Sequence, residues 1–265
     1  MKASLAPLLI LVAATSCSLT FGGWGEKVTS KSEVHFEPAA GTTTISIDSF
    51  NGSIELVAAA EGSAIHGTSV LYARGRSVED AQERINTMDW QFSQNGDTVT
   101  MILTEPEGGS NNAGGKLESL MVPAGYNVTI DISNGHVTIP AGFENLHIDT
   151  SNGAVDIHGG KTVFVDTSNG SIDYSGDSQD FEFDTSNGRI EVQLEGDWSG
   201  RGVASSSNGR IAVRCNGLID ARLKASTSNG KPKVYGPELG KSAGAGSLDL
   251  DTSNGNITVT HAFEE

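Results

Sequence analysis

Apolar and polar residues alternate along most of the chain from Val34 onward, which is typical of β-strands because successive side chains point to opposite faces. In the second half, each alternating run meets an Asn-Gly pair and then resumes. Counted from the Asn, the inward positions are six, four and two before it and three and five after it. Around Asn187 they are Phe181, Phe183, Thr185, Ile190 and Val192; around Asn134 they are Val128, Ile130, Ile132, Val137 and Ile139; around Asn254 they are Leu248, Leu250, Thr252, Ile257 and Val259. We predict that these positions form the core.

The Asn-Gly pairs belong to a tetrapeptide, Thr-Ser-Asn-Gly or a close relative, that occurs seven times, with an eighth, diverged copy near the start. From Asn134 onward the copies are 18, 17, 18, 21, 21 and 25 residues apart. A fixed short period indicates an array in which each unit adds one layer. The predicted corner pairs are Asn51-Gly52, Asn134-Gly135, Asn152-Gly153, Asn169-Gly170, Asn187-Gly188, Asn208-Gly209, Asn229-Gly230 and Asn254-Gly255.

We therefore predict an all-β, single-domain β-solenoid (β-helix) with rungs of 17–25 residues. Each rung is two short strands joined at Asn-Gly, where the Gly takes the positive φ that a sharp corner needs. Equivalent Asn, Ser and Thr side chains then form hydrogen-bonding ladders along one corner. The alternative is a type I′ hairpin at each Asn-Gly, which would give a meander or a sandwich.

The first residues resemble a secretion signal: Met1-Lys2 is followed by an apolar run from Leu5 to Ala14, which is too short to span a membrane. Small residues before Cys17 resemble a bacterial lipobox, so residues 1–17 are expected to be a signal peptide and Cys17 the lipidation site. Ordinary cleavage after Ser16 is the alternative. Residues 18–33 are polar and glycine-bearing, as in a tether.

The remaining residues, 34–265, are assigned to the solenoid, with an insertion at about 65–120. The insertion is predicted to hold a strand from His66 to Ala73, a helix opened by Ser77, and two strands joined near Asn95. We expect it to cap one end of the solenoid, the alternative being a ligand-binding insertion. The glycine-rich stretch 107–115 is predicted to be a flexible loop, and it lacks the Lys-Ser/Thr ending of a phosphate loop.

The charge composition argues against two classes of binding partner. The chain has 17 basic and 33 acidic residues, a net charge of −16, which argues against nucleic-acid binding and against direct adsorption to anionic lipid, so membrane attachment would come through the lipid on Cys17. The second cysteine, Cys215, continues the inward register and is expected to be a buried apolar residue without chemistry.

Asp131, Asp149, Asp166 and Asp184 precede consecutive corners and are expected to stand in one outward row. Such a row favours a cation, with calcium as the natural guess, although the calcium-binding nonapeptide of β-rolls is missing. The alternative, which we prefer, is a structural row whose carboxylates accept hydrogen bonds from turn amides. A second row of Arg189, Arg210 and Lys231 is expected to balance neighbouring acids.

An enzymatic function is the second class of function to consider, because some polysaccharide-active enzymes are β-helices. Such enzymes need paired carboxylates in a cleft or a base beside a metal. The six His are dispersed, and His136, His147 and His158 fall at different rung positions, which argues against a metal triad. We expect no catalytic residues and no enzyme activity, with a polysaccharide-active β-helix enzyme as a remote alternative.

Together, the lipobox-like start, the strand-helix-hairpin insertion, the Val122-Pro123-Ala124-Gly125 turn and the repeated Asp-Thr-Ser-Asn-Gly-x-Ile-x-Val resemble the bacterial DUF4097 putative-adhesin β-solenoid family over residues 34–261. Ser205 and Ser226 depart from its Asp. The resemblance implies a cell-envelope protein. With the lipobox-like start, we expect the chain to be secreted across the inner membrane and lipid-anchored in the cell envelope, at the outer membrane or in the periplasm.

The expected function is therefore a non-catalytic, adhesin-like surface module that binds envelope polymers, glycans or surface proteins. The alternative is a cation-stabilised scaffold or envelope-stress sensor.

Overall fold

The computed structural model describes residues 14–20, 25–236 and 246–261, and only the backbone of residues 14–20. Residues 1–13 of the predicted signal peptide lie outside the described part. The described residues are almost entirely β-structure, with one helix.

The N-terminal half alternates between strands of the repeat and strands of the insertion. Its elements are β1 (Ala14–Thr20), β2 (Glu26–Phe36), β3 (Thr44–Asn51), β4 (Ile54–Ala59), β5 (Ile65–Gly75), α1 (Val78–Asn86), β6 (Trp90–Asn95), β7 (Thr98–Leu103) and β8 (Ala113–Pro123).

The repeat region then supplies one pair of strands per corner. These strands are β9 (Asn127–Asn134), β10 (Val137–Ile139), β11 (Asn145–Asn152), β12 (Val155–His158), β13 (Thr162–Thr167), β14 (Ile172–Gly176), β15 (Asp180–Thr185), β16 (Ile190–Leu194), β17 (Arg201–Ser206), β18 (Ile211–Cys215), β19 (Ala221–Thr227), β20 (Pro232–Tyr235), β21 (Gly246–Thr252) and β22 (Ile257–His261).

The two strands of each pair belong to different sheets. Sheet one has the order β1-β2-β5-β8-β4-β10-β12-β14-β16-β18-β22-β20, and sheet two has the order β19-β21-β17-β15-β13-β11-β9-β3-β7-β6. Strands that flank an Asn-Gly do not pair with each other, whereas equivalent strands of neighbouring pairs lie parallel and in register, as Asp149 does with Asp166. The solenoid prediction is confirmed, and the hairpin alternative is wrong.

The core lies between the two sheets and is formed by the predicted inward positions. All fifteen inward residues around Asn134, Asn187 and Asn254 are buried. The core is mostly aliphatic, with an aromatic cluster near the middle in which Phe181 stacks on Phe183 with ring centroids 5.0 Å apart and Trp198 lies 5.7 Å from Phe181. Strict alternation therefore buries one side of every strand and leaves the other side on an outer face.

The insertion does more than cap the solenoid. Its helix begins at the predicted N-cap, where the Ser77 side chain accepts a hydrogen bond from the Asp80 amide, and it packs against β5 and β2. However, β7 lies parallel to β3, and β8 lies parallel to β4, so together they form a further rung. Residues 113–115, which we assigned to a flexible loop, begin β8.

The prediction that residues 18–33 form a tether is wrong for residues 26–33. They form the first part of β2, which pairs with β5 along eleven residues from Glu26 to Phe36. The inward positions include Ser32, which is buried, so the serine-rich sequence concealed the alternation. The backbone of β1 pairs in turn with β2, with Cys17 opposite Ser30. The antiparallel strands β1, β2 and β5 thus extend sheet one beyond its first rung.

The far end of the solenoid departs from sequence order. The last rung of the chain, β21 with β22, lies between β17 with β18 on one side and β19 with β20 on the other. The rung at the open end is therefore β19 with β20, not the chain's final rung. The described residues form nine rungs, in the order β7/β8, β3/β4, β9/β10, β11/β12, β13/β14, β15/β16, β17/β18, β21/β22 and β19/β20.

Candidate functional site: corner ladders and outer faces

The eight corner Asn side chains form one continuous ladder. Each Nδ2 donates to the Oδ1 of the next Asn along the stack, over 2.7–3.0 Å, and the ladder runs through Asn229, Asn254, Asn208, Asn187, Asn169, Asn152, Asn134 and Asn51. It ends where Asn51 Nδ2 donates to the backbone oxygens of Ser110 and Ala113, each at 2.9 Å. Because every amide points the same way, the ladder is directional and its bonds polarise one another.

The corner glycines are required by close packing. A Cβ atom built at Gly188 would lie 1.7 Å from the carbonyl oxygen of Gly170, and Gly170 has the same relation to Gly153 at 1.8 Å. Only Gly52 and Gly135 have φ in the positive range, at 143° and 155°. Our prediction of positive φ is therefore wrong for the other six corners, where glycine is needed because neighbouring backbones approach too closely for a side chain.

A second ladder lies just inside the first. Hydroxyl groups two residues before the corner Asn donate to the carbonyl oxygen of the corner Gly in the adjacent rung. These bonds are Thr185 to Gly170 at 3.0 Å, Ser206 to Gly188 at 3.0 Å, Thr252 to Gly209 at 2.9 Å and Thr227 to Gly255 at 3.0 Å. The Asn, the Gly and the Thr or Ser two residues before the Asn thus join one rung to the next, which gives these residues a structural role.

The predicted Asp row exists and is longer than expected. Asp48 adds a fifth member, since it stands in register with Asp131, and the row continues through Asp149 and Asp166 to Asp184. Partial burial, and then the Asp131 carboxylate, raises the pKa of Asp48. Partial burial, and then Asp166 and Glu182, raises the pKa of Asp184.

The Asp row does not take the hydrogen bonds that we expected from its own turns. The turn amides instead donate to the preceding rung, as Asn187 N does to Ser168 O at 2.9 Å. Asp149 has a different partner, the His147 ring nitrogen at 3.1 Å. Within the described ranges, no group of three or more His, Cys, Asp or Glu side chains is placed to hold a metal ion.

The outer face of sheet one carries a network of ion pairs. Arg189 bridges Asp173 at 2.9 Å and Glu191 at 3.3 Å, and Arg210 binds Glu191 from the next rung. The expectation that this basic row balances neighbouring acids holds for its two arginines. Beside it, His158 lies 2.5 Å from the Ser175 hydroxyl.

A shallow depression lies on this same face because Ala212 is small. It is bordered by Glu191, Arg210, Arg214, Thr258 and Thr260. In the described part of the chain, no side-chain hydrogen bond or ion pair holds the Arg214 guanidinium. The depression is open to solvent, so it offers a surface for an extended partner more than an enclosed chamber for a small molecule.

The two cysteines differ in what the structure shows. Cys215 is buried as predicted, its Sγ lies 3.2 Å from the Gly196 carbonyl oxygen, and burial raises the pKa of its thiol. These features describe an inert core residue. The side chain of Cys17 lies outside the described residues, and its lipidation stays a prediction. No helix in the described part of the chain is long and apolar enough to cross a membrane.

Comparison with known proteins yields distant structural likenesses. No protein-family model and no curated protein matches the chain. A solved structure of a putative cell adhesion protein from Clostridium sporogenes is similar, with 11% identity and a TM-score of 0.36, covering 87% of this chain and 99% of that one. A putative adhesin from Bacteroides fragilis is similar with 12% identity and a TM-score of 0.40, covering 86% and 96%.

Because both likenesses are distant, the fold assignment rests on this chain's own strand pairing. Membership of the DUF4097 family stays a prediction.

Alternation along the sequence did not single out three exposed residues that lie on one surface, Arg214, Lys233 and Tyr235. Alternation predicts that the side chains of these residues point outward. It does not predict that they lie close together, because that depends on the order in which the rungs stack. The exposed fraction of Tyr235 is 51%, unusual for an aromatic residue in a strand, and it follows from its place on the outermost rung.

Proposed function

We propose that this protein is a non-catalytic, adhesin-like binding module of the bacterial cell envelope. The observation that carries the proposal is the pair of long outer faces, which extend across the nine described rungs. Outward side chains stand in register from rung to rung, apart from one register shift between β4 and β8. At a strand spacing of about 4.8 Å, eight steps give a surface about 38 Å long. A regular, open, polar surface of this length suits an extended polymer.

The chemistry of the faces supports binding of a hydrogen-bonding partner. The outward columns of sheet one carry Ser, Thr, Gln, Asn and His side chains between the charged pairs, and the described residues include exposed Arg and Tyr there. Envelope polymers, glycans and surface proteins all present such groups. In this proposal the lipid on Cys17 holds the protein on the membrane, and the array projects from it.

The acids of this face are poorly suited to glycoside hydrolysis. A glycosidase needs a pair of carboxyl groups that face the scissile bond across a cleft. Asp173 and Glu191 instead both form ion pairs with Arg189, at 2.9 Å and 3.3 Å, on an open outer face. We accordingly expect no release of reducing or unsaturated sugar ends when the chain is incubated with envelope polysaccharides.

Retention on envelope material tests the proposal. The full chain, passed over immobilised envelope polymers, is expected to be retained more strongly than a globular protein of the same net charge. Retention equal to that of the control protein would contradict a binding role. Release of new sugar ends in the same samples would favour the enzyme alternative.

The Asp row supports a second candidate, a cation-stabilised scaffold or envelope-stress sensor. Five carboxylates in register repel one another, and a bound divalent cation such as calcium would relieve that repulsion. This candidate predicts a rise in melting temperature with calcium that is lost in the double variant Asp149→Asn, Asp166→Asn. An equal response of both proteins to calcium would contradict it.

A further inference from the structure

The three outermost rungs on the sheet-one side form an acid-free, basic surface on a strongly acidic protein. On these rungs, positions two, four and six after the corner Asn point outward. They include Arg210, Arg214, Lys231, Lys233 and Tyr235, while the whole chain has a net charge of −16. We call the nine outward positions of these rungs the basic face. No Asp or Glu occupies any of them.

The other four positions of the basic face are Ala212, Asn256, Thr258 and Thr260. Residues of neighbouring rungs lie side by side in this face: Ala212 is next to Thr258, and Thr258 is next to Lys233. The depression over Ala212 is lined by positions of this face and also by Glu191 of the preceding rung, which is paired with Arg210. Hydroxyl and amide groups therefore border a recess, with cations around it and one paired carboxylate at its edge.

Most of the cations of the basic face are uncompensated. Arg210 binds Glu191. In the described ranges, by contrast, Arg214, Lys231 and Lys233 form no ion pair. Charge left unpaired on such an acidic molecule favours an anionic partner, because the local potential then opposes that of the remaining surface.

We propose that the basic face binds a linear polysaccharide that carries carboxylate groups. The guanidinium of Arg214 matches a carboxylate through two parallel hydrogen bonds, and Lys233 adds a second charge two rungs away. Asn256 and Thr260 supply partners for sugar hydroxyls. The exposed ring of Tyr235, at the end of the same column as Thr260, offers an apolar surface on which a sugar ring packs.

The location of the basic face fits this assignment, which rests on the proposed function. Strand β1, which contains Cys17, and strand β20, which contains Tyr235, are the two opposite edges of sheet one. Eleven strand spacings of about 4.8 Å separate them, or about 50 Å. A chain held at Cys17 would present the basic face at its far end, away from the membrane.

Binding of the full chain to polygalacturonate in EDTA tests the inference. The expected result is measurable affinity that falls when the polymer is methyl-esterified and when ionic strength rises, with no affinity for neutral dextran. The double variant Arg214→Ala, Lys233→Ala is expected to bind at least about tenfold more weakly. Arg214 and Lys233 are both exposed, so the melting temperature should stay close to that of the parent chain.

The matched control is Arg201→Ala. Arg201 is an exposed arginine of sheet two that is paired with Asp180 at 3.1 Å and Glu182 at 3.0 Å. This variant is expected to bind polygalacturonate like the parent chain. Equal binding by the parent and the double variant, equal loss in the control, or equal affinity for dextran sulfate would overturn the assignment.

Different results would contradict the carboxylated ligand and the proposed binding function. If the parent chain and the double variant are retained equally on envelope polymers, the binding role survives and the carboxylated ligand on the basic face is wrong. If the parent chain is not retained on envelope polymers at all, the proposed function itself is wrong.

Discussion

At the scale of single residues, three residues of the corner tetrapeptide have different structural roles. Asn carries the outer ladder, Thr or Ser carries the inner ladder, and Gly lets the backbones meet. The sequence predicted the Asn ladder and the buried Thr correctly because repetition places identical residues side by side. It did not predict why Gly recurs, since close approach between rungs leaves no mark in a single corner.

The ladder predicts a position-dependent cost for losing an Asn. Asn169 lies inside the ladder and takes part in two amide hydrogen bonds, whereas Asn229 lies at its end and takes part in one. At about 1 kcal/mol for each hydrogen bond, Asn169→Ala should lower the free energy of unfolding by about 2 kcal/mol and Asn229→Ala by about 1 kcal/mol. Urea unfolding of both variants measures this, and equal costs would contradict the ladder.

The Asp row predicts a stabilising substitution. The pKa of Asp184 is raised in the folded protein, so its charge opposes folding at every pH above that pKa, and the penalty disappears as the pH falls through it. Asp184→Asn should therefore stabilise the fold at neutral pH by roughly 0.5 kcal/mol, or about 1–2 °C in melting temperature. The gain should shrink in acid.

Thermal unfolding at neutral pH and near pH 4 measures this effect. Asp220→Asn is the control, since Asp220 is exposed and outside the Asp row. A loss of stability in Asp184→Asn at neutral pH would show that the carboxylate contributes a favourable contact there.

At the scale of strands and rungs, the sequence predicted the strands well wherever the inward positions are occupied by apolar residues. It missed two features. The rung of β7 and β8 has no Asn-Gly corner, and β2 carries buried serine at an inward position. Both are recognisable only after a partner strand is known, because pairing along β5 stabilises a strand whose own side chains are weakly apolar.

Pro232 explains why the β19/β20 rung lies outermost. In other rungs, the residue three after the corner Asn donates its backbone N–H to the next rung, as Ile172 does to Arg189 at 2.9 Å and Ile211 to Asn256 at 3.0 Å. Pro232 occupies the same position and has no N–H. Lys231 and Lys233 flank it, so charge and a missing donor together protect the open edge from pairing.

Removing this protection should promote association between chains. The triple variant Lys231→Ser, Pro232→Ile, Lys233→Ser restores the donor and removes the charges. Its sedimentation coefficient is expected to rise with protein concentration more steeply than that of the parent chain. The variant that keeps Pro232 but loses both lysines is the control and should respond less. Identical sedimentation of all three proteins would contradict the role assigned to Pro232.

At the scale of the whole molecule, the proposed ligand surface is a product of rung order. Alternation alone shows that Arg214, Thr260 and Tyr235 point outward, but sequence order would place β20 directly beside β18. In the structure β22 lies between them, so Thr258 separates Ala212 from Lys233 and the recess is bordered by hydroxyls. In this arrangement the last two strands of the chain pair with β17 and β18, which are distant in sequence. No local sequence pattern predicts such pairing, so the basic face could not be predicted from the sequence.

Disulfide trapping of the rung order tests this account most directly. In a background with Cys17→Ala and Cys215→Ala, the pair Ala212→Cys, Thr258→Cys occupies neighbouring strands about 4.8 Å apart, within the Cα range of disulfides. The pair Ala212→Cys, Lys233→Cys is two strands apart. Under mild oxidation, peptide mapping should find the first bond and not the second. The reverse pattern would place the rungs in sequence order and would contradict both the fold of this end and the basic face.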